Sequence, residues 1–307
     1  MNSSANLLDP AGPVAAEAAR LAWALFGGAA LVLATVMLLT WWALRGRLRD
    51  VSPRTLIVAG GLVLPGGVLV ALLIVTLRSL PAPAAADALT VALSGRMWWW
   101  EVRYRDPAEP AREIVLANEL RIPVGREVHL RLTTRDVIHS FWVPQLAGKV
   151  DMVPGRVNAL VLRADKPGIF RGPCAEFCGA QHTLMTLTVV ALPAAEFDAW
   201  LANEALPARA PATELQLRGR GAFVERHCVA CHTVRGVTEA AAGSAPDLTH
   251  VGARLALGAG TLPMQPGAMR DWIAQVQRHK PGAQMPSFDH LDAATLDAIA
   301  AYLEHLR

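Results

Sequence analysis

Two short runs of sulfur and imidazole could carry chemistry in this sequence. In Cys174-Ala-Glu-Phe-Cys178-Gly-Ala-Gln-His182-Thr-Leu-Met185, two thiols, an imidazole and a thioether fall within twelve residues. His139, in Asp136-Val-Ile-His-Ser-Phe-Trp142, adds a second imidazole from a separate loop. Soft sulfur combined with imidazole suits copper, and a weak Met ligand is a copper habit. A mononuclear site needs one Cys with two His. The second Cys asks for a second metal, giving two coppers bridged by two thiolates, each completed by one His and one weaker ligand. Met185 would serve one copper and the backbone carbonyl of Glu176 the other. Such a core has low net charge in both oxidation states, so one electron shared by two metals costs little reorganisation. Two readings compete. A Cys174–Cys178 disulfide suits an oxidising compartment but leaves the placement of His139, His182 and Met185 to chance. Zinc is disfavoured because Met is a poor zinc ligand. His129, on the polar face of a predicted strand, reads as a solvated side chain.

The second run, Cys228-Val-Ala-Cys231-His232, is the c-type haem attachment pattern. Two thiols form thioethers to the haem vinyls while the adjacent His232 binds iron. A low-spin carrier needs a sixth ligand, and Met raises its potential. Met269 opens a predicted helix and reads as packing, and Met264 lies in a loop with no supporting context. Met285, in the Pro-bounded loop Lys280-Pro-Gly-Ala-Gln-Met-Pro286, is the expected ligand. His227, His250, His279, His290 and His305 read as surface residues. No Cys is left over.

These runs need elements to position them. Residues 21–44 and 55–77 are uncharged and long enough to cross a bilayer as helices. The intervening residues 45–54 hold four Arg and one Asp, which by the positive-inside tendency places this loop in the cytoplasm and both chain ends outside. The first run is no ordinary cleaved signal peptide, since its basic flank follows it. Residues 81–86 read as a short stiff spacer. From residue 89 the pattern becomes period two. Strands are predicted over 127–133, 156–163 and 184–192, separated by Pro-Gly and Val-Gly turns, which together read as an antiparallel sandwich. A Pro/Ala linker from Pro207 leads to helical stretches at 214–227, 268–277 and 294–306. The domains are therefore a transmembrane hairpin at 1–80, a β domain at 88–206 and a helical haem domain at 213–307.

Composition agrees. The 307 residues are 53% hydrophobic and only 18% charged, below the usual quarter for a soluble protein. The net charge of +3 comes from the membrane segment and Arg209, whereas residues 88–205 and 213–307 are each neutral. There is no basic footprint for nucleic acid, and the contact between the two polar domains does not depend on large opposite charges.

The string Trp98-Trp-Trp-Glu-Val-Arg-Tyr104, then Asp136-Val-Ile-His-Ser-Phe-Trp-Val-Pro144, then the Cys-x-Glu-x-Cys-x-x-x-His-x-x-Met run, resembles cytochrome c oxidase subunit II over about residues 7–205. The resemblance implies a multi-domain membrane protein. A two-helix transmembrane hairpin carries an all-β, cupredoxin-like Greek-key sandwich holding a dinuclear CuA centre. His139, Cys174, Glu176 (carbonyl), Cys178, His182 and Met185 fall at the family's ligand positions. The Glu176 carboxylate matches a position that helps bind magnesium at the interface with subunit I. Trp98 matches the aromatic residue over which electrons enter CuA, although by residue type alone the Trp triplet reads as core or membrane-interface packing. Two departures stand out. Arg96-Met97 replaces the His-Gln of many relatives, and residues 55–77 lack the acidic residue some relatives use for proton entry. Residues 213–307 resemble an all-α class I cytochrome c, which implies that the Pro246 carbonyl holds His232 and that Trp272 packs beside one covalently bound haem c.

These resemblances imply the electron-entry subunit of a haem–copper cytochrome c oxidase in a bacterial inner membrane, its two polar domains on the periplasmic side. Electrons would pass from a cytochrome c donor to haem c, then CuA, then subunit I, with subunit III a further neighbour. No catalytic residue lies in this chain, and tethering the carrier raises its effective concentration. The alternatives are the small subunit of a CuA-containing nitric oxide reductase and, in a different class, a membrane-anchored copper-binding or assembly protein.

Overall fold

The computed structural model describes residues 8–48, 52–78, 89–106, 109, 112–237 and 244–307. The predicted spacer at 81–86 and residues 49–51 of the basic loop lie outside them. The chain divides into two compact units, residues 17–86 and residues 1–16 together with 87–307.

The smaller unit contains two helices. The first, α1, spans Pro13–Leu44 and the second, α2, spans Pro53–Arg78; their mean hydropathies are 2.2 and 2.5. Each is long and apolar enough to cross a membrane. Side chains such as Phe26, Leu31, Leu33, Leu62 and Leu69 are exposed along them, as suits a lipid solvent. Thr35 and Thr40 donate their hydroxyls to the carbonyls of Leu31 and Val36, both at 2.8 Å, which satisfies the two polar groups within the helix. Both helices start earlier than their uncharged runs, because the proline at each start has a backbone fixed for the first helical turn. In α2 the ladder widens to a π turn over Ala59–Val63, where Gly60-Gly61 relaxes the backbone.

The larger unit begins with the chain start. Ala11 is buried in the β core, and its N–H and C=O bond to the Gln145 carbonyl and the Asp165 N–H, each at 2.8 Å. Residues 8–12 therefore belong with the β domain, although they precede α1. Ten strands follow. One sheet has the order β3 (Glu113–Ala117), β2 (Trp99–Arg105), β1 (Leu89–Arg96), β5 (Val128–Thr134), β8 (Asn158–Leu162). A second has β4 (Glu119–Pro123), β10 (Thr186–Leu192), β9 (Gly168–Pro173), and a short ladder joins β6 (His139–Phe141) to β7 (Val150–Met152). Alternate residues such as Val91, Leu93, Trp100, Val102, Leu130, Leu132, Leu187 and Val189 fill the core between the sheets. The arrangement is cupredoxin-like. It is not purely antiparallel, however: β1 pairs with β5, and β4 with β10, in parallel. The chain passes to the second sheet at β4 before it returns at β5, so it re-enters the first sheet in the direction it left. In β8 the buried face is Leu162 and, partly, Leu160, while Val157 faces out.

His129 departs from its solvated reading. It sits on the interior strand β5 between Thr90 and Val161, and the residue is half-buried with its Nε2 shielded from solvent. The β domain closes with α3 (Ala194–Glu204), whose Phe197 and Leu201 complete the β core.

The helical domain is built on the crossing of α4 (Glu214–Glu225) with the last helix (Ala293–His305). Thr213 and Gln216 form a reciprocal capping box at the start of α4. At Gly219 a Cβ would lie 1.9 Å from the Ala298 carbonyl oxygen, so glycine is what lets the two backbones meet. The predicted helix 268–277 is broken into α5 (Ala268–Ala274) and α6 (Val276–His279), and the last helix becomes α7. The cause is local. The Gln277 N–H donates to Ser287 Oγ at 3.0 Å and the Ile273 carbonyl accepts from the Phe288 N–H at 3.1 Å, so the loop before α7 takes both halves of the next helical bond.

Candidate functional site

β6 and the loop after β9 bring the first group of candidate residues together. The sulfurs of Cys174 and Cys178 lie 3.9 Å apart and are not bonded as a disulfide. His139 Nδ1 is 3.8 Å from the Cys174 sulfur, and His182 Nδ1 is 3.6 Å from the Cys178 sulfur. Met185 Sδ lies 3.8 Å from Cys178 and the Glu176 carbonyl oxygen 3.3 Å from Cys174. Each thiol is thus flanked by one imidazole and one weaker donor. His139, Cys174 and Cys178 form the one cluster with metal-ligand geometry among the described residues. This donor set of soft sulfur and imidazole fits a pair of copper ions.

The same contacts set the electrostatics of the group. The hydrogen bond between the two thiols, and then that with His139, carry the Cys174 thiol well below the ordinary range against the opposing effect of burial, and Cys178 is pushed up in return. For His139, burial alone would lower the pKa, but the bonds to Cys174 and Asp136 outweigh it and raise it. The Asp136 carboxylate accepts from His139 Nε2 at 2.8 Å, fixing the ring so that Nδ1 faces the thiol. Gly95 lets this ring in, since a Cβ there would lie 2.7 Å from His139 Cδ2. Asp136 and Gly95 were not singled out from the sequence. Asp136 had a visible signal, a carboxylate three residues before a candidate ligand, and Gly95 had none.

The second group lines a cavity of about 330 Å³, within the range of small-molecule pockets, roughly 300–1,000 Å³. Cys228, Cys231, His232, Pro246, Trp272, Met269 and Met285 all face it. His232 Nδ1–H donates to the Pro246 carbonyl at 2.8 Å, leaving Nε2 for a ligand bond. Burial lowers the His232 pKa, which keeps the imidazole neutral as a metal ligand must be. The Met285 loop is held by Gln277, whose side-chain amide donates to the carbonyls of Ala283 (2.8 Å) and Met285 (2.7 Å). Met264 does not reach the cavity, and Met269 is buried in the core. Thiols at two corners, a neutral imidazole and a thioether on a mostly apolar wall fit a covalently held haem.

Among the other histidines, His250 is not a surface residue. It is 5% exposed, and its Nδ1 lies 3.3 Å from the buried Glu204 carboxylate, because the two sit in the seam between the domains. His227 lies at the cavity edge, His279 pairs with Asp271, and His305 donates to the Ala210 carbonyl.

Trp98 stands between the two groups. Its indole N–H donates to the Cys178 carbonyl at 2.8 Å, and the same residue lines the cavity of the helical domain. Its neighbour Trp100 is core, and Trp99 lies under the Arg96 guanidinium at 5.3 Å. The Glu176 carboxylate is exposed and paired with Lys149 at 3.3 Å. Lys280, which carried no signal in the sequence, is 4% exposed; burial pushes it down to about 7.

Residues 89–192 match the family model for the periplasmic domain of cytochrome c oxidase subunit II, and residues 216–307 match that for cytochrome c. A cytochrome c oxidase subunit 2 of Alkalihalophilus pseudofirmus is 37% identical over 228 residues, which cover 74% of this chain and 64% of that one. The chain thus spans slightly less than two thirds of the length of that relative. The subunit 2 of Branchiostoma floridae is 33% identical over 156 residues, 45% of this chain and 68% of that one. A solved periplasmic domain of cytochrome oxidase subunit II from Bradyrhizobium japonicum is 31% identical, covers 39% of this chain and 94% of that chain, and superposes with a TM-score of 0.35. One third identity sustained over most of a relative's own length reflects common descent, and the chain belongs to the cytochrome c oxidase subunit II family, with a cytochrome c domain following the subunit II domain.

Proposed function

We propose that this chain is the electron-entry subunit of a haem–copper cytochrome c oxidase. The observation that carries the reading is Trp98, which is bonded to the Cys178 carbonyl of the two-thiol site and also forms part of the wall of the Cys228–Cys231–His232 cavity. One aromatic ring therefore links the two candidate redox sites within a single chain. With CuA and haem c bound, these sites would supply one-electron carriers between a cytochrome c donor and oxygen reduction in subunit I.

The positions of the residues support the following roles. Cys174, Cys178, His139 and His182 hold the copper pair, with Met185 and the Glu176 carbonyl as weaker ligands. Asp136 orients His139. Cys228 and Cys231 would attach the haem, His232 and Met285 would ligate its iron, Pro246 would set the His232 ring, and Trp272 would close the wall. No side chain here acts as an acid or base. A magnesium ion at Glu176 would need further ligands from subunit I, because among the described residues that carboxylate has only a lysine beside it. The helices α1 and α2 anchor the chain, with residues 88–206 and 213–307 as its two periplasmic domains on a bacterial inner membrane beside subunits I and III.

The test is an EPR spectrum of the oxidised chain alongside its visible haem spectrum, for the native protein and for Cys174→Ser. The native spectrum should show one electron shared equally by two coppers. In the variant that signal should disappear while the haem bands persist. A mononuclear copper signal in the native protein would overturn the assignment. Gas uptake by the complex with oxygen and with nitric oxide separates the oxidase from the reductase reading.

A further inference from the structure

Lys280 is the first residue of the loop that carries Met285, and its side chain leaves the helical domain. Its ammonium donates to three backbone carbonyls: Trp98 at 2.7 Å, Leu184 at 2.8 Å and Gly258 at 2.8 Å. Two of these belong to the β domain and one to the helical domain. Three acceptors use all three ammonium protons, so the buried cation is fully satisfied where it stands. Leu184 immediately precedes Met185, and Trp98 is the ring bonded to Cys178. Beside it, the Gln181 side-chain amide donates to the Pro281 carbonyl at 2.5 Å, and the Thr186 N–H donates to the Ala259 carbonyl at 3.0 Å. The copper-site loop is thus bonded to the start of the Met285 loop and to the Gly258–Ala259 turn.

A second seam closes the far side. The Glu119 carboxylate accepts from the Leu255 N–H at 2.5 Å, and Glu204 faces His250. The linker itself is laid down: the Ala208 N–H donates to the Arg235 carbonyl at 2.9 Å and the Ala210 carbonyl accepts from His305. This is not how a swinging tether is built.

We propose that Lys280 is a positioning residue that locks the helical domain onto the β domain, so that transfer between them crosses a fixed contact at Trp98 instead of following a diffusive search by a tethered carrier. The proposal rests on the functional reading above for what is transferred, but the clamp itself rests on the three carbonyls alone.

The experiment uses the purified complex. One electron is injected photochemically into the haem, and its onward transfer is followed as glycerol raises the solvent viscosity. The native rate should not change with viscosity. In Lys280→Met, transfer should slow by about tenfold or more, as expected when a fixed contact becomes a tethered encounter, and it should become viscosity-dependent with the haem and copper spectra unchanged. Lys280→Gln, which keeps two donor protons, should fall between the two. A viscosity-dependent native rate would overturn the proposal, as would a Lys280→Met protein with the native rate. If the native chain lacks the two-copper spectrum, the functional reading fails separately. The clamp is then judged by trypsin cleavage at Arg209, which should quicken in Lys280→Met; unchanged cleavage would overturn it.

Discussion

At the residue scale, the donors of the proposed copper site owe their aim to groups that donate nothing to a metal. His139 is fully buried, and its ring is fixed on one side by Asp136 and made room for by Gly95 on the other. Outer partners of this kind matter nearly as much as ligands, because a misdirected imidazole wastes its lone pair. Asp136→Asn keeps the shape but removes the charge. Copper affinity should fall about 10–100-fold, as measured by competition with a chelator, while haem content stays native. The same carboxylate also accepts from the Met97 N–H at 2.7 Å, so it ties the start of the Trp triplet to the His139 loop.

At the element scale, close backbone approach decides the helical domain. The α4–α7 crossing is possible because Gly219 has no side chain where Ala298 and Tyr302 come in. Gly219→Ala forces the helices apart in a core that includes the fully buried Phe223 and Tyr302. Overpacking of this sort should cost ~3 kcal/mol, read as a lowered denaturation midpoint of the haem domain with the copper spectrum retained. The α5–α6 break shows the converse: a predicted continuous helix is interrupted because a loop competes for its hydrogen bonds, and the same loop then carries Met285 to the cavity.

For the molecule as a whole, the seam between domains mixes apolar contact with buried charge. Glu119 is 7% exposed, and burial raises its pKa above 4.5 despite the opposing Leu255 N–H and Arg121. The sign follows from linkage: a carboxylate whose folded pKa is raised is a burden only where it must be ionised. Below pH 4.5 the penalty is absent; it grows as the pH rises from 4.5 to the raised folded value and is constant above that. Glu119→Gln keeps an acceptor for Leu255 and removes the charge. Its stability relative to the native protein should therefore improve as pH rises from 4.5 toward 7, and the difference between the two should stop changing below 4.5. Paired urea titrations across that range check it; a difference that does not depend on pH would show that Glu119 carries no such penalty.

The sequence by itself determined the local features. Uncharged runs marked α1 and α2, period-two stretches marked β5, β8 and β10, and residue type with short spacing marked Cys174 to Met185 and Cys228 to His232, because those depend on neighbours in the chain. The Pro-bounded loop pointed to Met285 and only the resemblance pointed to Trp98; both line the cavity, and their roles are proposals. What the tertiary structure decided was everything set by distant approach. The parallel pairings of β1 with β5 and β4 with β10, the burial of His250 and of His129 Nε2, the helix break at Gln275, and the roles of Gly95, Gly219 and Lys280 each depend on atoms brought together by folding. Lys280 is the extreme case. Its three acceptors lie 182, 96 and 22 residues away, and a backbone carbonyl is the same at every position, so no pattern of side chains could have announced them.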